Sequence, residues 1–115
     1  MKLIITKNQS KGIIGGVSFE VFAKIQLSEE EKKLIDHYKL RNEILFQKKL
    51  VNIWGQPTDH LIDVRVKDLV DGTTYKCKNL GEVLGYINSL KEACTILKTY
   101  LEVAKSFGGE EWIEY

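Results

Sequence analysis

A segment near the start of the chain has residue types that could bind phosphate. Lys7 and Lys11 supply positive charge, and the glycines that follow can present backbone N–H groups to an anion. These glycines are Gly12, Gly15 and Gly16. A P-loop needs Gly-Lys-Ser or Gly-Lys-Thr leading into a helix, whereas the last two glycines here lead into a predicted strand. Residues 7–16 are therefore either a small-molecule or phosphate-ligand site, or a connector whose glycines satisfy backbone geometry.

Histidine and carboxylate side chains are grouped locally only once along the chain. Asp59, His60 and Asp63 form this group, but a strand would place His60 and Asp63 on opposite faces, because strand side chains alternate. The other histidine, His37, falls off the apolar stripe of its predicted helix and is expected at the surface. Since no nucleophile, base and metal ligands occur at suitable spacing, we predict no catalytic residues, no metal site and no cofactor, and we favour a protein that is not an enzyme.

The cysteine pattern does not suggest redox chemistry. Cys77 and Cys94 do not form a Cys-x-x-Cys pair, and no histidine lies at ligand spacing from them. Unpaired cysteines are often buried as small apolar side chains. We therefore predict two free thiols, which face the core from a strand and from a helix.

The charge balance narrows the class of partner. Seventeen basic and sixteen acidic residues give a net charge of +1, which is far from the basic excess of a dedicated nucleic-acid binder. Arg41 and Arg65 are the only arginines, so bidentate contacts to phosphate would be few. Residues 1–57 carry a net +4 and residues 58–115 a net −3. This composition disfavours nucleic acid as a partner and is compatible with a protein.

The lack of a recognisable targeting signal favours the cytoplasm. The apolar run at residues 3–5 is too short for a signal peptide, and no stretch approaches the roughly 20 apolar residues of a membrane span. We expect a cytoplasmic protein that does not associate with a membrane.

The first part of the chain predicts two strands and a helix. Residues 2–6 read as a short strand, and residues 7–12 as the most loop-like segment. Residues 17–27 alternate between apolar and polar side chains, which predicts a strand with one buried face, although Phe22 lies on the polar face. Ser28 followed by Glu31 fits a capping box, so a helix is expected from Ser28 to about residue 40.

The middle of the chain predicts further strands. Residues 43–54 read as a strand whose apolar phase slips at residues 47–49, through a bulge or a tight hairpin, with a continuing helix as the alternative. Residues 55–59 form a turn by composition, and residues 61–67 alternate as a strand. Asp71-Gly72 predicts a hairpin that leads into a strand at residues 73–78.

The last part of the chain predicts one long helix. Asn79 and Glu82 repeat the capping pattern, and apolar residues recur at intervals of three and four from about residue 80 to residue 107. Gly108-Gly109 should end this helix, and residues 111–115 read as a short terminal strand. Together the elements predict a single α+β domain over residues 1–115. It would hold a mainly antiparallel sheet of about five to six strands, with two helices, about 28–40 and 80–107, packed on one face.

Size and apolar surface favour self-association. A helix over residues 80–107 would be about 42 Å long, whereas a compact globule of this size is roughly 34 Å across. The helix should therefore overhang the domain, and aromatic side chains add surface that a monomer would leave uncovered. The interface residues expected on this basis are Phe22, Trp54, Leu97, Leu101 and Trp112. The leading hypothesis is a small non-catalytic protein-interaction module, either a homodimer or a monomer in which loops and the terminal strand cover this surface. The alternative is a small-molecule or phosphate-ligand binding protein or enzyme that uses residues 7–16.

Overall fold

The computed structural model describes residues 1–11, 16–51 and 54–115, without the side chains of residues 50, 51 and 60. The chain is α+β, as predicted, but its strands form two antiparallel sheets and not one. One sheet has three strands in the order β1-β2-β5, and the other pairs β3 with β4. The elements are β1 (Lys2–Lys11), β2 (Val17–Gln26), α1 (Glu29–His37), β3 (Ile44–Val51), β4 (Pro57–Arg65), α2 (Val66–Asp71), β5 (Thr73–Cys77) and α3 (Leu80–Lys105).

β1 is twice as long as its apolar residues indicate. It pairs with β2 without interruption from Lys2, opposite Gln26, to Lys11, opposite Val17. The prediction of a loop from residue 7 is therefore wrong for residues 7–11, and residues 12–15 lie outside the described part. A strand ladder is built from backbone hydrogen bonds, so polar side chains do not prevent it when both faces are exposed to water.

β2 has the buried face that its alternation predicts. Val21, Ala23 and Ile25 are buried, and the three share one face of the sheet. On the other face Phe22 is half-buried, and its ring lies so close to Gly72 that a Cβ atom on Gly72 would be 2.9 Å from it. The aromatic residue on the polar face is thus covered by the chain's own backbone at the end of α2.

Side-chain caps fix the starts of α1 and α3. Ser28 Oγ accepts from the Glu31 backbone N–H at 3.1 Å, and Glu31 Oε1 accepts from the Ser28 N–H at 2.9 Å, which confirms the capping box. Asn79 Oδ1 accepts from the Glu82 N–H at 2.9 Å, which confirms the second cap. α1 is shorter than predicted, because Lys39, with φ of 54°, turns the chain just after it.

The segment that follows α1 is an irregular strand. β3 pairs with β4, so the alternative of a continuing helix is wrong. Its register shifts lie between Ile44 and Phe46 and between Lys49 and Val51, on either side of the predicted slip at residues 47–49. The first shift allows two consecutive side chains, Leu45 and Phe46, to be buried.

A short helix replaces the end of a predicted strand. The alternating segment at residues 61–67 stays extended only to Arg65, after which α2 buries Val66 and Leu69. Asp68 Oδ2 accepts from the Arg65 N–H at 2.9 Å and so caps the first turn of α2. Gly72, with φ of 91°, ends α2, and β5 then pairs with β2. The predicted hairpin at Asp71-Gly72 is therefore wrong, because the returning strand has a distant partner.

α3 forms one side of the core. It runs unbroken over most of the predicted range, packs against β2 and β3, and contacts α1. Gly108, with φ of 94°, turns the chain after its end. Residues 110–115 are described but form no strand, so the predicted terminal strand is wrong for a single copy. The buried residues of α3 are Tyr86, Ser89, Leu90, Ala93, Leu97, Leu101 and Ala104.

The molecule is flat and elongated. Its extents are 61 × 34 × 19 Å and its radius of gyration is 17.1 Å, against about 13 Å for a compact chain of this length. The side chains of residues 6–11 in β1 are exposed, as are Val17 and Ser18 opposite them in β2. This half of the β1–β2 hairpin therefore extends beyond the core.

Candidate functional site

The outer edge of β1 offers a regular row of backbone hydrogen-bonding groups. Among the described residues, β1 pairs with β2 on one side, and no strand pairs with its other side. An unpaired strand edge can accept another strand unless charges, bulges or a cover prevent it. β1 has no register shift over its ten residues, so its backbone geometry permits such pairing.

The charges on β1 are of one sign. Lys2, Lys7 and Lys11 are its charged residues, and there is no acidic residue among residues 1–11. Lys7, Gln9 and Lys11 share one face of the strand, and all three side chains are exposed. Gln9 lies opposite the half-buried Phe19 of β2 on that face. Residues 7–11, the outer half of β1, are therefore a basic strand segment that lies next to the half-buried Phe19.

The C-terminal segment, residues 110–115, has the opposite charge. It contains Glu110, Glu111 and Glu114, and no basic residue. Trp112 is 88% exposed, and its indole Nε1 donates to Glu110 Oε2 at 3.2 Å. Ile113 and Tyr115 are also exposed. In one copy this acidic and apolar segment buries little of its surface.

Apolar side chains also remain exposed where α3 ends. Phe107 is 70% exposed, and its ring lies 5.9 Å from that of Tyr38, measured between centroids. Tyr100 and Val103, three residues apart on the preceding turns, are exposed as well. The Tyr100 hydroxyl donates to Glu43 Oε1 at 3.4 Å, and the Tyr100 ring remains at the surface. The end of α3 therefore carries exposed apolar side chains, as residues 110–115 do.

The predicted interface residues differ in how far they are exposed. Leu97 is fully buried and Leu101 is 3% exposed, because both pack into the core of their own chain. Neither side chain presents surface to a partner. Phe22 is half-buried against Gly72. Trp54, in the turn between β3 and β4, and Trp112 are largely exposed.

The predicted ligand segment is only partly described. Lys7 and Lys11 lie in β1, where the strand's backbone pairs with β2 and does not form a loop around an anion. Gly16 has no atom within 4 Å of the place where a Cβ would be. Gly12 and Gly15 lie outside the described residues.

An open cavity of about 110 Å³ between β3 and α3 was not predicted from the sequence. Lys48 and Lys49 line it from the strand, and Asn88, Ser89 and Glu92 line it from the helix. Ser89 Oγ already donates to a backbone carbonyl of its own helix at 2.8 Å. The two walls of the cavity, β3 and α3, are far apart in the sequence, so no local motif predicts it.

The buried and half-buried tyrosines and cysteines are held in their neutral forms. The Tyr75 and Tyr86 rings stack with centroids 4.5 Å apart, and burial raises the pKa of both phenols. Cys77 and Cys94 are free thiols, as predicted. Burial raises the pKa of Cys77, and it raises that of Cys94 to about 11. These groups are therefore poor nucleophiles near neutral pH.

In the described part of the chain, no three His, Cys, Asp or Glu side chains are grouped closely enough to hold a metal ion. None of the described helices combines the length and apolar character needed to cross a membrane. No family model, no curated protein and no solved structure matches this chain.

Proposed function

We propose that this chain is a non-catalytic protein-interaction module whose partner is a second copy of itself. The observation that carries the proposal is the exposed apolar surface at the C-terminal end, where Phe107 is 70% and Trp112 88% exposed. Exposed aromatic side chains are typical of interaction surfaces, because association gains free energy by removing them from water.

The chemistry of the buried groups favours binding over catalysis. The two thiols have raised pKa values, so neither is an activated nucleophile. The charged side chains of residues 7–11 and of residues 110–115 are exposed, and such groups suit recognition by charge complementarity. A second copy is favoured because each chain carries both the basic and the acidic segment, and two-fold dimers are the commonest assembly.

A ligand site at residues 7–16 has less support. Lys7 and Lys11 lie in a regular strand, whereas a phosphate-binding loop needs several backbone N–H groups converging on one point. A thermal-shift screen with nucleotides and inorganic phosphate distinguishes the two functions. A large stabilisation by any of these would favour the ligand-binding alternative.

Sedimentation equilibrium tests the proposal on the intact chain and on a chain truncated after Gly109. We expect the apparent mass of the intact chain to rise from 13.2 kDa towards twice that value as its concentration increases through about 1–100 μM. The truncated chain should remain monomeric over the same range. Circular dichroism should show that the truncated chain keeps its fold.

A matched pair of variants separates a specific surface from general stickiness. Phe107→Ser with Trp112→Ser removes apolar surface at the C-terminal end of the chain, and Leu80→Ser with Leu84→Ser removes it at the other end of α3, where these leucines are 69% and 60% exposed. The first pair should abolish dimerisation and the second should not. An intact chain that stays at 13.2 kDa at every concentration contradicts the proposal.

A further inference from the structure

We propose that residues 110–114 of one copy add as a strand to the free edge of β1 in a second copy, with Glu110 and Glu114 beside Lys7 and Lys11. This inference rests on the proposed self-association and names the two segments that meet. Main-chain hydrogen bonds would supply the pairing, and the charged side chains would set its register.

β1 is the edge best suited to accept a strand. Its ladder with β2 is regular over ten residues, so its outward-facing N–H and C=O groups are evenly placed. β3 is also basic, with Lys48 and Lys49, but it has register shifts near both ends. Such irregularities twist an edge away from further pairing. β5 is half the length of β1.

Charge determines what kind of strand can bind there. If β1 paired with β1 of a second copy, lysines of both strands would be brought together with no acidic residue between them. Like charges on paired strands are destabilising. An acidic strand is therefore the complementary occupant, and residues 110–115 contain three glutamates and no basic residue.

The spacing of the charges matches. Lys7 and Lys11 are four residues apart, as are Glu110 and Glu114, so in extended chains each pair lies on one face with a separation of about 13 Å. The two glutamates can therefore face the two lysines in either strand direction. In both directions Trp112 lies opposite Gln9, whose neighbour in β2 is the half-buried Phe19. The indole would then extend the apolar surface of the sheet.

In a dimer, residues 110–114 and the outer edge of β1 would each gain a partner strand from the second copy. In one copy residues 110–115 are in no strand, and the outer edge of β1 has no partner strand among the described residues. Gly109, just before the acidic segment, donates its N–H to the Ser106 carbonyl at 3.3 Å, so the segment starts from a fixed point at the end of α3. Each chain contributes one edge and one strand, so a reciprocal exchange closes as a two-fold dimer.

Charge reversal with mixing tests the pairing. The first variant carries Lys7→Glu and Lys11→Glu, and the second carries Glu110→Lys and Glu114→Lys. Each alone places like charges together and should raise the dimer dissociation constant at least about tenfold in sedimentation equilibrium. An equimolar mixture of the two should associate with an affinity within about threefold of the unmodified chain, since the basic segment of one variant then meets the acidic edge of the other.

The control variant carries Lys24→Glu and Lys76→Glu. It reverses two charges on the same sheet, but on the opposite face from Lys7 and Lys11. Its dimer dissociation constant should match that of the unmodified chain. If it weakens the dimer as much as the β1 variant does, net charge and not pairing explains the effect, and the inference is overturned.

The outcomes separate this inference from the proposed function. If the intact chain dimerises but the mixed variants do not recover association, the chain is still an interaction module and the strand pairing is wrong. The charge-reversal variants could instead leave the apparent mass unchanged and lower the stability of a monomeric chain. Residues 110–114 would then pair with β1 of their own chain, which also overturns the exchange. If the intact chain is monomeric at all concentrations, both proposals fail.

Discussion

Glu31 is a single carboxylate that holds the start of α1. Burial raises its pKa, but hydrogen bonds from Ser28 and the nearby ammonium group of Met1, 3.3 Å away, lower it. The net result is a pKa below the ordinary value. Because the folded-state pKa is lower than the unfolded-state value, the carboxylate stabilises the fold above the unfolded-state pKa. That contribution is lost as the pH falls through the folded-state pKa.

Glu31→Gln tests this contribution. At pH 7 we expect the variant to lose about 1 kcal/mol of the free energy of unfolding, because the charge-assisted cap is weakened. From pH 6 to pH 3, across the ordinary glutamate pKa of about 4.3, the unmodified chain should lose more stability than the variant does. Urea denaturation at several pH values measures both effects. Glu29→Gln, on an exposed side chain of the same helical turn, is the control, and an equal loss there would contradict the account.

At the scale of elements, Gly72 joins α2 to the sheet. Its φ of 91° is in the left-handed region, and an added Cβ would lie 2.9 Å from Phe22 Cζ. Gly108 is a matched case, with φ of 94° and no atom within 4 Å of the Cβ position. Each glycine follows the end of a helix and has a similar φ, and the two positions differ in steric contact.

Gly72→Ala should therefore be more destabilising than Gly108→Ala. The positive φ costs about 1–3 kcal/mol in each variant, and the contact with the Phe22 ring should add roughly 1–2 kcal/mol at Gly72 alone. Thermal or urea denaturation of the two variants provides the comparison. Equal losses would show that the ring of Phe22 moves aside without cost.

Local chemistry explains which elements could be predicted. The caps at Ser28 and Asn79 depend on residues three positions apart, so the sequence reveals where α1 and α3 begin. The partner of β5 could not be predicted in this way, because β5 lies far along the chain from β2 and pairing depends on tertiary packing. The full length of β1 could not be predicted from its apolar residues, because polar residues such as Asn8 join the ladder through their backbone and not their side chains.

At the scale of the molecule, the flat shape determines which surface is available. The chain is not a compact sphere, because its greatest extent is 61 Å, which exceeds the length of about 39 Å expected for α3. Leu97 and Leu101 are therefore covered within one chain. The residue types of Lys7, Lys11 and Trp112 mark them as candidates for binding, whereas the pairing proposed between them involves a second chain, which no single sequence pattern encodes.

Hydrogen–deuterium exchange at β1 measures most directly whether its edge is occupied. In the intact chain at concentrations that favour the dimer, the amides of residues 7–11 that point away from β2 should exchange at least about tenfold more slowly than in the chain truncated after Gly109. Dilution of the intact chain should remove this protection. Equal exchange of these amides in the two chains at every concentration would contradict strand addition at the edge of β1.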